Sequence, residues 1–178
     1  MIVMVAGVYG VGKSTICSKL SDDLKLNFYS ASELIKNEQG FSTWDKNKKT
    51  GKIKKNQDYL YNAINKKADE NFMLDGHFCL RNKNDNIEII DFKSIQKLGI
   101  KAVLLLKEES EIICNRLMNR DDVKWSKDFI SDLQKTEEEQ AISYTTENII
   151  PFSSHFVNEY DAIKSFVAKS FFLGTNDE

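Results

Sequence analysis

The chain has 178 residues, 41% of them hydrophobic, with 25 basic against 27 acidic side chains and a net charge of −2. That length suits a single domain, expected over residues 1–178, with a sizeable core. Its apolar content argues against disorder, and the charge balance supplies no positive excess to drive nucleic-acid binding through counterion release. No apolar run reaches the roughly 18–20 residues that cross a bilayer. The start lacks the basic lead-in and cleavage site of a secretory signal. Cys17, Cys79 and Cys114 form no CxxC pair, so a reducing, cytoplasmic setting is expected. Only three of the basic residues are arginine: Arg81, Arg116 and Arg120.

In chain order, Met1–Ala6 is a short continuous apolar run and reads as a central strand. Gly7–Gly12 is a glycine-rich turn, and Ile16, Leu20 and Leu24 mark a helix over Lys13–Leu24. A short strand is expected at Asn27–Ser30, then a brief helix with Ser32 as N-cap, reaching Asn37. Residues 38–56 lack a clear pattern, and six lysines fall between Lys46 and Lys55. These read as a solvated loop, with an acceptor-side clamp as the alternative. Asp58–Ala68 has helical spacing, Phe72–Asp75 is a third strand, and residues 81–90 look like loop.

Asp91 is placed to cap a helix that stops near Gly99. Ile100–Leu106 is a buried strand, Glu109–Arg120 a helix, Asp121–Ser126 a polar connection, and Lys127–Glu147 a long helix. After Pro151 come a fifth strand, Ser153–Val157, and a final helix, Asp161–Phe172. Strands alternating with helices predict a three-layer α/β/α fold around a five-stranded parallel sheet, with the order 2-3-1-4-5 expected.

The most specific signal is Gly7-Val8-Tyr9-Gly10-Val11-Gly12-Lys13-Ser14, a complete G-x-x-x-x-G-K-[ST] between a strand and a helix. Glycines let successive amides turn inward as an anion nest, and the following helix adds the positive end of its dipole. Lys13 is placed to reach the β- and γ-phosphates, Ser14 to hold Mg²⁺, and Thr15 to contact the α-phosphate. The loop identifies a nucleoside triphosphate, ATP with Mg²⁺ being expected, but not the reaction performed on it.

Four segments in order resemble the P-loop nucleoside monophosphate kinases, most closely the compact archaeal-type adenylate kinases. They are Gly7–Thr15, Tyr29–Lys36, the Asp75-Gly76-His77 end of the third strand, and Asn115–Asp122 with Arg116 and Arg120 four apart. The resemblance spans roughly residues 1–172. It implies an acceptor-side helical insert over about 31–70 and a short lid over about 120–127. It also implies that Arg116 lies against the donor nucleotide and that Arg120 enters the transfer zone. Two arginines at i and i+4 share a helix face, and their guanidinium forks bracket phosphates as lysine cannot.

Asp75, at the carboxyl end of a strand, is placed to hold Mg²⁺ or orient the acceptor. The resemblance assigns Ser32, Glu33, Lys36 and His77 to the acceptor, with Arg81 as a substitute for the arginine that the long adenylate kinases carry where this chain has Cys79. They also carry arginine where this chain has Lys36. Asn158 falls where these folds pass the ATP base, and His155 reads as structural. The expected partner is a small nucleotide, AMP first. Two alternatives stay open: a hydroxyl acceptor on a metabolite or a nucleic-acid 5′ end, with Asp75 as general base, and a nucleotide-gated switch or slow ATPase. The oligomeric state is left open.

Overall fold

The computed structural model describes residues 1–40, 53–67, 70–122 and 124–172. Of the lysine cluster, Lys46, Lys48, Lys49 and Lys52 lie outside the described residues. Fourteen elements are described, in the order β1 (Ile2–Ala6), α1 (Lys13–Leu24), β2 (Asn27–Ser30), α2 (Ala31–Gln39), α3 (Ile53–Asn65), β3 (Phe72–Asp75), β4 (Cys79–Arg81), β5 (Ile87–Ile89), α4 (Phe92–Gln96), β6 (Ile100–Lys107), α5 (Ser110–Asp121), α6 (Lys127–Asn148), β7 (Phe152–Phe156) and α7 (Tyr160–Phe172).

Five parallel strands form one sheet in the order β2-β3-β1-β6-β7. Counted without the separate β4-β5 pair, this is the expected 2-3-1-4-5 arrangement. β4 and β5 shift the numbering, and they correct the loop reading of residues 81–90: Cys79–Arg81 pairs antiparallel with Ile87–Ile89. The connecting turn is closed by Asn82 Oδ1, which accepts from the amides of Asn84 and Asn86.

Side-chain alternation along β1 builds the three layers. Val3 and Val5 face one apolar cluster with Ile16 and Leu20 of α1, Ile113 and Leu117 of α5, and Ile163 and Val167 of α7. Ile2, Met4 and Ala6 face the other, with Leu34 and Ile35 of α2, Leu60 and Ile64 of α3, and Ile95 of α4. The long helix α6 contributes to both. Ile130 and Leu133 join the first cluster, Ala141 and Tyr144 the second. Among the described residues, no helix is long and apolar enough to cross a membrane.

Side-chain caps begin two of the described helices. Asp91 caps α4 by accepting from the Ser94 amide, and Ser126 caps α6 by accepting from the Phe129 amide. The N-cap of α2 is Ser30 rather than Ser32, and the two hydroxyls are 2.8 Å apart. α3 begins at Ile53, five residues before the expected start. The polar connection after α5 contains Trp125, only 5% exposed and packed among the first cluster.

Candidate active site

The carboxyl ends of β1, β2 and β3 open onto a cavity of about 450 Å³, within the usual size range for a small-ligand site. One end is the glycine loop. Gly7 and Gly10 have φ of 144° and 74°, values that disfavour a side chain. Space closes the same positions: a Cβ on Gly7 would sit 2.8 Å from the Leu106 carbonyl oxygen, and one on Gly10 2.9 Å from Leu117 Cγ. α1 begins at Lys13 without a side-chain cap, leaving its first amides available to an anion.

Lys13 is 7% exposed. Its Nζ donates to the carbonyls of Gly7 (2.7 Å) and Val8 (3.1 Å) and lies 3.6 Å from Asp75 Oδ1. Ser14 Oγ donates to Asp75 Oδ2 at 3.0 Å. The end of β3 thus brings a carboxylate to both loop side chains expected to meet phosphate and metal. Among the described residues, no three histidine, cysteine or carboxylate side chains gather as a self-contained metal site. The Ser14–Asp75 pair fits a Mg²⁺ ion whose remaining ligands are phosphate and water.

Arg116 stands over the loop, donating to the carbonyls of Val11 (2.9 Å) and Gly10 (3.4 Å) and to Glu108 Oε2 (2.8 Å). Arg120 also lines the cavity, while its guanidinium holds the carboxylate of its neighbour Asp121 through Nε (3.0 Å) and Nη2 (2.7 Å). Tyr9 and His77 meet across the cavity mouth with ring centroids 4.7 Å apart, and Trp125 packs on Tyr9 at 5.7 Å.

The structure brings Val8, Tyr9, Gly10, Gly12, Lys13, Ser14 and Thr15 of the loop to one cavity with Ser32, Asp75, His77, Arg116 and Arg120. Gly7 and Val11 lie behind it, Val11 fully buried and offering its carbonyl to Arg116. Other expected residues stand apart. Glu33 and Lys36 are exposed on α2 and do not line the cavity. Arg81 is turned to Asp85 (Nη2–Oδ1 2.7 Å) and stacks on Trp125, its guanidinium carbon 4.4 Å from the ring centroid. Asn158 is exposed in the turn after β7. Its neighbour Val157 approaches the loop, with Cγ1 3.7 Å from where a Cβ on Gly12 would sit. His155 is bound within its own strand, Nε2 2.7 Å from Ser153 Oγ.

Two residues near the site escaped the sequence reading. Glu137, in the middle of α6 and 1% exposed, accepts from the amides of Gly7 (3.2 Å), Phe78 (3.0 Å) and Cys79 (2.8 Å) and from Cys79 Sγ (3.1 Å). Burial raises its pKa, while the bonds from Phe78 and Cys79 and the charge of Lys13 act in the opposite direction. The signal was available: Glu137 sits on the stripe Ile130, Leu133, Ala141, Tyr144, an acid at a core position of an amphipathic helix. The second is Gln57 of α3, 8% exposed and lining the cavity.

With this geometry, comparison with known proteins is direct. A family model described as AAA domain matches residues 6–134. No curated protein matches the sequence. Several solved structures share the fold. Shikimate kinase from Acinetobacter baumannii in complex with shikimate has 13% identity and a TM-score of 0.59, over 99% of this chain and 95% of that one. The YorR protein from Bacillus subtilis in complex with phosphorylated GDP has 17% identity and a TM-score of 0.58, over 100% and 99%. A gluconokinase from Sinorhizobium meliloti 1021 has 14% identity and a TM-score of 0.54, over 98% and 97%. Identities this low establish the fold alone, the three-layer fold of P-loop kinases. The family match covers well over half of the sequence, from the end of β1 into α6, and the chain therefore belongs to the AAA domain family.

Proposed function

We propose that this chain is an ATP- and Mg²⁺-dependent kinase that transfers a phosphoryl group to a nucleoside monophosphate, AMP being the first candidate. The observation that carries it is the continuity of the cavity. A glycine loop with Lys13, Ser14, Asp75, Arg116 and Arg120 at one end runs into an acceptor-sized space beneath α2, α3 and α4 at the other. In the reaction, an oxygen of the acceptor phosphate forms a bond to the γ-phosphorus as the bond to the β,γ-bridging oxygen breaks, and ADP leaves with that electron pair. Such transfer needs positioning and charge neutralisation above all. Lys13 and the loop amides hold the donor phosphates, while Arg116 and Arg120 bracket the moving group with planar forks. Ser14 and Asp75 would hold Mg²⁺, which supplies charge neutralisation across the phosphate oxygens. Ser32 and His77 border the acceptor space, with Glu33, Lys36 and Arg81 further from it.

A coupled assay of ADP formation over AMP, CMP, UMP, GMP and dTMP tests this reading, the expected result being turnover with at least one of them. Binding of ATP with no phosphorylation of any would overturn it. The second reading, phosphorylation of a hydroxyl, is favoured by Asp75 itself, a carboxylate inside the cavity. The similar structures named as shikimate kinase and gluconokinase lend it support. Asp75→Asn separates the two. A general base lost from a hydroxyl kinase abolishes turnover while ATP still binds, whereas in the monophosphate reading the variant mainly needs more Mg²⁺.

A further inference from the structure

Away from the glycine loop, the cavity wall is largely apolar, built from residues such as Ile35, Leu60, Ile95 and Leu98 of the second core cluster. Ser30, Ser32 and two neighbouring amides of α3, Asn56 and Gln57, interrupt it. Gln57 lies one helical turn before Leu60 on α3, in the stretch Asn56-Gln57-Asp58-Tyr59-Leu60. It is 8% exposed and lines the cavity. Among the described residues its carboxamide has no hydrogen-bond partner. Its neighbour Asn56 shows the contrast, since Asn56 Oδ1 accepts from Gln39 Nε2 at 2.9 Å. The amide opens onto the cavity rather than into the core, so its donor and acceptor are available to a ligand that enters.

The chemistry of the partner follows from the amide. A carboxamide presents one acceptor and one donor side by side in a plane. Its complement is a planar group with a donor and an acceptor side by side, which is the edge of a nucleobase, and the apolar wall suits the faces of such a ring. An acidic head group fits poorly here. Among the described residues, the lysine and arginine side chains lining the cavity are Lys13, Arg116 and Arg120, all grouped with the glycine loop. We propose that Gln57 reads the base of the acceptor nucleotide and so determines which monophosphate is used. The inference rests on the nucleoside monophosphate reading and adds to it the group that makes the choice.

Two variants test it, with KM and kcat measured for each monophosphate and for ATP. Gln57→Met keeps the length and removes both polar atoms. It should raise KM for the preferred monophosphate by about tenfold or more, the usual consequence of losing a paired polar contact in a closed site, with KM for ATP unchanged. Gln57→Glu replaces the donor–acceptor pair with two acceptors. It should shift relative kcat/KM from AMP toward GMP, whose N1 and N2 offer adjacent donors. An unchanged acceptor KM in Gln57→Met, or an unchanged AMP-to-GMP ratio in Gln57→Glu, overturns the base contact while leaving the kinase reading intact. A parent protein that binds ATP and phosphorylates no monophosphate overturns both.

Discussion

Glu137 joins three segments that meet nowhere else in sequence: Gly7 at the start of the glycine loop, Phe78 and Cys79 just past His77, and α6 itself. Replacing it with alanine strands three buried amides, and each unsatisfied donor costs about 1–3 kcal/mol. Partial relaxation limits the sum, so Glu137→Ala should lose roughly 3–5 kcal/mol in urea unfolding, in line with removing one side of a buried polar network. Glu137→Gln keeps one acceptor oxygen and should lose less. Residue positions divide sharply in how readable they were. Lys13, Ser14 and Asp75 were legible because a motif fixes their spacing and a strand end fixes their position. Lys36 and Arg81 were legible as cations but not in direction: α2 turns Lys36 to solvent, and Asp85 with Trp125 draws Arg81 aside. Gln57 was not legible because its place on the cavity wall is set only by folding, whereas Glu137 was marked by its position on the apolar stripe of α6.

Between elements, much of the structure is tied by small polar clasps over apolar contacts. Asp23 near the end of α1 accepts from Tyr160 Oη (3.0 Å) and Lys164 Nζ (2.8 Å) of α7, and Lys19 Nζ lies 3.7 Å above the Tyr160 ring. The bonds from Lys164 and then Tyr160 hold the Asp23 carboxyl below its usual range. A folded-state pKa below the unfolded one contributes stability above the unfolded value and loses it as pH falls through the folded value. Asp23→Asn should therefore melt slightly below the parent at neutral pH, and the two curves should converge in acid. The central strands β1, β3 and β6 were readable because each is a mainly apolar run, and the more polar edge strands β2 and β7 followed from the alternation of strands with helices. The β4-β5 hairpin was not, because its strands are three residues each and the five residues between them are all polar. Support from outside comes from Glu137, which holds the Cys79 amide, while the Ile90 amide extends the hairpin's own ladder by donating to the Phe78 carbonyl at 2.8 Å.

Across the whole molecule, α6 is the element that crosses layers, with its first turns in one apolar cluster, its last turns in the other and Glu137 between them. It follows the connection carrying Trp125, which packs on Tyr9 of the glycine loop and on Phe129 of α6. Glycine loop, connection and long helix therefore share one set of contacts. The two arginines of α5 occupy different places in that set. Arg116 is already bonded to the loop backbone and Glu108, whereas Arg120 holds only the next residue's carboxylate among the bonds described for it. Arg116→Lys should weaken ATP binding as well as turnover, because it removes contacts that shape the loop. Arg120→Lys should spare ATP binding and lower kcat on the order of a hundredfold, as expected for a donor used in the transition state. Isothermal titration beside steady-state kinetics distinguishes the two outcomes. The Arg120–Asp121 pair ties the guanidinium to its own helix and, among the described residues, to no second element. On the proposed reading, Arg120 therefore exchanges carboxylate for phosphate without breaking a bond between elements.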